Sequence, residues 1–124
     1  MLTPTDAGLY CPAGDFHVDP WRPVARALIT HAHGDHACAG SAAYLAADAG
    51  RELLTGRLPP GSSVETLRYA EPRRIGDVIV SFHPAGHILG SAQIRIAGAD
   101  GVWVVSGDYK LAPDPTCAPF EPLA

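Results

Sequence analysis

Several things are scarce in this chain, and each scarcity narrows its class. Cysteine occurs three times in 124 residues, at Cys11, Cys38 and Cys117. An odd, widely spaced set is a poor disulfide framework and points to a reducing compartment, so a cytoplasmic protein is the default expectation. The formal net charge is −4. That gives no sign of a basic surface for nucleic acid, although bound metal ions would change the local field. The N-terminus MLTPTDAGLY lacks the basic start and apolar run of a secretory signal. No stretch is long or apolar enough to cross a membrane, and no internal repeat is visible. What remains is a hydrophobic share of 47%, enough for a core. The length suits one small domain or part of a larger one.

Read along the chain, the pattern is mixed α/β. Phe16 to Val18 suits a short strand closed by Asp19-Pro20. Val24 to Thr30 (VARALIT) is an apolar run that suits a buried strand. Ala37 to Ala49 is alanine-rich and ends at Gly50, which predicts a helix with a glycine C-cap. Arg51 to Thr55 reads as another short strand, and Pro59 to Ser63 as a loop. From Gly76 the pattern turns to β. Val78 to His83 is β-branched and aromatic, and the loop PAGHILGS follows. Ala92 to Ala97 alternates, with Ile94 and Ile96 on one face and Gln93 and Arg95 on the other. The turn Gly98-Ala99-Asp100-Gly101 leads to a returning strand, Val102 to Ser106, with Gly107-Asp108 beyond its end.

The stretch THAHGDH, residues 30 to 36, carries three of the six histidines. His31 and His33 are two apart, and just beyond a strand end that spacing can send both imidazoles to one side. Asp35 and His36 follow at the expected entry to a helix and can aim at a second point nearby. Neutral imidazole and carboxylate are good ligands for zinc and related divalent ions. A solvated polar loop is the bland alternative, but four crowded ligand-type groups without a metal would face one another at a desolvation cost. One loop supplies too few ligands, so remote candidates are sought after strand ends. His87 lies in AGHILGS, and Asp108 in SGDY. Alone, His87 is ambiguous and Asp108 reads as a turn aspartate; beside the cluster both become candidate ligands. His83 falls within a strand and reads as packed or supporting, His17 as a strand residue, and Cys38 as a small buried thiol on a helix. Asp19 could accept a hydrogen bond from a ligating histidine or could simply shape a turn.

THAHGDH, PAGHILGS and SGDYK, in that order and spacing, resemble the metallo-β-lactamase fold and, more narrowly, its β-CASP nuclease branch. GDFHVDPWRPVARALITHAHGDH, SFHPAGHILGSAQ and WVVSGDYKLAPDPTCAPFEP look closer still to bacterial DNA-ligase-associated exonucleases, also described as mRNA 3′-end processing factor-like. The resemblance covers nearly the whole chain. It implies an αββα sandwich with two divalent metal ions at one edge, zinc or alternatively manganese. By motif position His31, His33 and His87 hold the first ion, Asp35 and His36 the second, and Asp108 bridges them. Asp19 matches an early aspartate that supports the site, and Asp35 is placed to orient the attacking water or take its proton. The implied activity is metal-dependent phosphodiester hydrolysis: a DNA exonuclease linked to DNA repair and functionally to a DNA ligase, or alternatively an RNA-processing endonuclease of the same fold. A lactamase or thioesterase is disfavoured by GHILGS and SGDYK. The resemblance also implies more chain than is present. Residues 1–124 correspond to the N-terminal half of the sandwich, without the inserted β-CASP domain or the final histidine of the second ion.

A partial, catalytically incomplete domain is therefore expected, with one ion held well, the second poorly, weak or no hydrolysis of DNA and an uncovered sheet face that lowers solubility. Elemental analysis of the purified chain beside a His31→Ala/His33→Ala variant checks this. About one ion per chain, lost in the variant, is the expected result; about two would mean that the site needs nothing further.

Overall fold

The computed structural model describes residues 2–32, 37–86 and 90–106. Two sheets face one another. The first has six strands in sequential order: β1 (Thr3–Thr5), β2 (Gly8–Cys11), β3 (Phe16–Val18), β4 (Arg26–Leu28), β5 (Ala43–Ala47) and β6 (Val64–Leu67). β1 to β3 form an antiparallel meander, and β3 to β6 run parallel. The second sheet is antiparallel throughout, in the order β10 (Gly101–Val105), β9 (Ala92–Gly98), β8 (Val78–Pro84), β7 (Arg73–Ile75). A 3-10 turn at Asp48–Gly50 runs directly into the helix α1 (Arg51–Arg57), which makes the crossover from β5 to β6.

Side-chain alternation sets the layers. Leu28, Leu45 and Ala47 of the first sheet pack with Val80, Phe82, Ile94 and Ile96 of the second in the inter-sheet core. The alternate residues Ala27, Tyr44 and Ala46 face the other way and pack with Leu54 and Leu58 of the helical side. The order of layers is thus helix, sheet, sheet. The far face of the second sheet carries Ile79, Val102 and Val104, which are 44%, 49% and 42% exposed. Among the described residues no helix covers it, and none is long and apolar enough to cross a membrane.

Most of the β-rich half is as its sequence reads, from β8 through the turn at Ala99-Asp100 to β10. The central region is not. The alanine-rich segment predicted as a helix contains strand β5, and the segment predicted as a strand is α1. Gly50 precedes the helix instead of closing one. The physical reason is burial on both faces. β5 lies between β4 and β6 in the middle of a parallel array. Such strands are continuous apolar runs without alternation, so AYLAA carries no period-2 signal. Alanine's helix propensity, a few tenths of a kcal/mol per residue, is overridden by that packing. RELLTGRL does carry a helical signal in the i, i+4 pair Leu54 and Leu58, both buried. Cys38 is correspondingly half-buried in a segment that is neither helix nor strand, and among the described residues no helix lies between the histidine motif and β5. β4 is shorter than its apolar run. Cys11 and Cys38 are free thiols, and Cys117 lies outside the described residues.

Gly90 shows how tightly the layers meet at one edge. It has φ +79, and a Cβ on it would lie 2.1 Å from the Gly50 Cα. Gly90→Ala is expected to destabilise by about 2–4 kcal/mol, from left-handed strain plus a forced backbone shift. Gly56, inside α1, has open space around its Cβ position. Gly56→Ala is expected to stabilise by about 0.5–1 kcal/mol. Thermal unfolding of the two variants, read against wild type, should show shifts of opposite sign.

Candidate metal centre

The parallel strands β3, β4 and β5 all end at one edge, where open α/β sheets place ligands. Asp19 follows β3 directly, and Thr30-His31 follow β4. Asp19 holds φ +45, a strained value that its backbone supports by donating its N–H to the Leu28 carbonyl at 2.9 Å. This turn aims the carboxylate across at the neighbouring strand. Thr30 N–H donates to Asp19 Oδ1 at 2.8 Å, and Thr30 Oγ1 donates to Oδ2 at 2.6 Å. Thr30 Oγ1 also lies 3.0 Å from His31 Nδ1. Thr30 is fully buried and His31 almost so, at 0% and 3% exposure.

That chain assigns the imidazole tautomer. The Thr30 hydroxyl has one proton, and Asp19 takes it. The oxygen can then only accept from His31, so Nδ1 carries the proton and Nε2 keeps its lone pair. A neutral imidazole with a free lone pair on one nitrogen and a fixed donor bond on the other is the form that binds a metal. Nε2 is itself buried, so what it meets lies within the protein. The site side of His31 adjoins Gly50, Leu54 and Gly90, and the close Gly50–Gly90 approach walls it in.

The second sheet brings its own strand ends to the same edge. Pro84 at the end of β8 pairs with Ala92 at the start of β9, and Ala85 N–H donates to the Ser91 carbonyl at 3.1 Å. These close the base of the connection that contains His87. Ala92 N–H then donates to the Thr30 carbonyl at 2.7 Å, which fastens that base to His31's own strand end. β10 runs in the direction of β8, with Val105 opposite Ile94, so it ends at this edge too. His33, Asp35, His36, His87 and Asp108 lie outside the described residues. Among the described residues no three His, Cys, Asp or Glu side chains gather as a ligand set. The structure therefore shows His31, Asp19 and the anchors of the remaining motifs.

The other histidines do different things. His83 is buried in β8 with Nε2 2.8 Å from Ser81 Oγ. His17 sits on β3 with its ring 4.8 Å from that of Tyr10. Tyr10 donates to Asp15 Oδ1 at 2.7 Å. That hydrogen bond, then partial desolvation and the carboxylate's charge, pushes the phenol above its ordinary pKa. Thr30 is the residue that sequence reasoning passed over. Its only signal was its place immediately before HAHGDH.

Layers, strand order and the placing of the strand ends define a metallo-β-lactamase-like fold. A metallo-β-lactamase of Cronobacter sakazakii superposes with a TM-score of 0.56 at 14% identity, covering 87% of this chain and 59% of that one. A protein of unknown function from Enterococcus faecalis superposes with a TM-score of 0.58 at 18% identity, covering 69% of this chain and 25% of that one. In sequence, the chain is 34% identical over 113 residues to a protein of Opitutus terrae named Probable DNA ligase, covering 84% of this chain. The chain spans 10% of the length of that relative. No protein-family profile matches it.

Thr30→Val tests the hydrogen-bonded chain. It keeps the volume and removes the hydroxyl, leaving Asp19 and His31 each short of a buried partner. Zinc affinity, followed by competition with a chromogenic chelator, is expected to fall about 10–100-fold. Thr30→Ser, which keeps the hydroxyl, should stay within a few-fold of wild type.

Proposed function

We propose that this chain carries the metal-binding part of a phosphodiester hydrolase, a DNA exonuclease of the metallo-β-lactamase fold linked to DNA repair. The observation that supports it most directly is the Asp19–Thr30–His31 chain, which fixes the buried His31 ring at the edge where the parallel strands β3, β4 and β5 end. Histidine and carboxylate suit zinc and admit manganese. In this reading His31, His33 and His87 hold one ion, Asp35 and His36 a second, and Asp108 both. Two divalent ions would supply charge to polarise the phosphate oxygens and acidify a water.

The protein's own residues do the rest. Asp19 keeps the His31 ring in one tautomer and one orientation through Thr30. Asp35 takes or directs the proton of the attacking water. The Gly50–Gly90 contact and the apolar Ala32 and Leu54 side chains limit water around the histidine, which strengthens every charge interaction there. The choice of DNA rests on the Opitutus terrae relative, whose name concerns DNA ligation, and on the resemblance of the motifs. A working link to a DNA ligase belongs to the same proposal.

The test compares linear DNA, covalently closed circular DNA and RNA as substrates, with zinc or manganese added. Loss of linear DNA alone is the expected result for an exonuclease. Cleavage confined to RNA would replace this reading with an RNA-processing one. His31→Ala is expected to lower the rate by about 10³-fold or more, as removal of a metal ligand's contribution to transition-state charge stabilisation should.

A further inference from the structure

The sandwich has a second open edge. At the N-terminal ends of β4 and β5, opposite the edge that carries His31, the two sheets part into a cleft of about 430 Å³. That volume falls in the range of small-ligand sites, roughly 300–1,000 Å³. Arg26, Glu65, Arg73 and Arg74 line it, together with the buried apolar residues Leu45 and Ile75. The chain is acidic overall, at −4, yet three of its nine lysine and arginine residues meet here. Glu65 offsets one of them, with Arg73 Nη1 2.8 Å from its Oε1. Arg26 and Arg74 are exposed and enter no ion pair among the described residues. Two uncompensated guanidinium groups therefore border an open, partly apolar cleft.

The backbone under these arginines is held in place. Arg73 and Arg74 are in register with Val80 and Ile79 of the long strand β8. The hairpin that follows turns at Gly76, φ +58, where a Cβ would lie 2.5 Å from the Ala13 carbonyl oxygen. Asp77 N–H donates to that same oxygen at 2.9 Å and pins the turn to the first sheet. Arg26 begins β4, whose other end leads to His31. The cleft and the histidine edge are thus opposite ends of one rigid body, separated by roughly the length of a seven-residue strand such as β8, about 20 Å.

We infer that this cleft is a second anion site that takes phosphodiester groups of a polynucleotide strand whose other part lies at the His31 edge. The inference rests on the nucleic-acid reading proposed above. Guanidinium groups grip phosphate oxygens in bidentate fashion, and Leu45 and Ile75 give the sugar an apolar surface. At the duplex rise of ~3.4 Å per nucleotide a strand reaching both edges spans about six nucleotides, and an extended single strand needs fewer. The contacts are to the backbone, so they strengthen binding without selecting sequence.

The test uses the full chain, a fluorescein-labelled 20-nucleotide single-stranded DNA, and fluorescence anisotropy in EDTA so that nothing is cleaved. Arg26→Gln/Arg74→Gln is expected to weaken binding about tenfold and to make the slope of log K against log salt shallower by about 1.4, or ~0.7 for each lost phosphate contact. Inorganic phosphate should compete with the strand in the wild type. Arg26→Lys/Arg74→Lys should recover part of the affinity. Arg22→Gln/Arg57→Gln removes the same charge elsewhere and should bind as wild type does. Equal losses in both glutamine pairs, no loss in the first pair, or no binding by wild type would overturn the cleft. Metal uptake, read by elemental analysis, separates the two readings. If wild type takes up neither zinc nor manganese while the Arg26/Arg74 pair still governs strand binding, the metal-dependent hydrolase reading falls and the cleft stands.

Discussion

The amide of Ala92 donates to the carbonyl of Thr30 at 2.7 Å, and this one bond joins the two sheets at the edge where β4 ends and β9 begins. Thr30 engages both sheets at once. Its carbonyl takes the second sheet, its N–H and hydroxyl take Asp19 from β3, and its oxygen takes the His31 ring. Buried polar networks of this kind are rigid when their members are satisfied and costly when one is lost. A shift of either sheet would have to break a hydrogen bond in a dry interior, where the cost is of order 1–3 kcal/mol. The position of His31 relative to the β8–β9 connection is therefore a property of the inter-sheet packing and not of the histidine loop alone.

The close approach of Gly50 and Gly90 acts beside that bond. One residue begins the helical side of the first sheet and the other ends the β8–β9 connection, and their backbones touch because neither has a side chain. Small residues recur around this contact: Ala32, Ala46 and Ala47 are all buried near it. Their use brings three layers together at one edge. The opposite edge differs, with three arginines lining an open cleft. The close Gly50–Gly90 contact and the cationic cleft lie at opposite ends of one pair of sheets.

Legibility in the sequence differed by region for physical reasons. β8 and β9 send alternate apolar residues into the inter-sheet core, and β10, exposed along most of its length, was marked by its β-branched run and by the turn between Gly98 and Gly101. β5 is buried on both faces, so its alanines spoke for a helix when read alone. Gly50 looked like a helix end because glycine serves both as a stop and as a point of close approach, and only the partner at Gly90 distinguishes the two. Asp19 was singled out as either a turn residue or a support for a histidine. Its strained φ turns the carboxylate onto Thr30, which meets both of its oxygens and in turn lies against His31.

The mixed α/β character and the β-rich second half were determined by residue type and spacing, because alternation and turn chemistry are local properties. The tautomer of His31, the role of Thr30, the strand identity of Ala43–Ala47 and the gathering of Arg26 with Arg73 and Arg74 were decided only by the tertiary structure. Each of those depends on a contact between residues far apart in the chain, and no local pattern encodes which distant partner a hydroxyl, a strand edge or a guanidinium will meet.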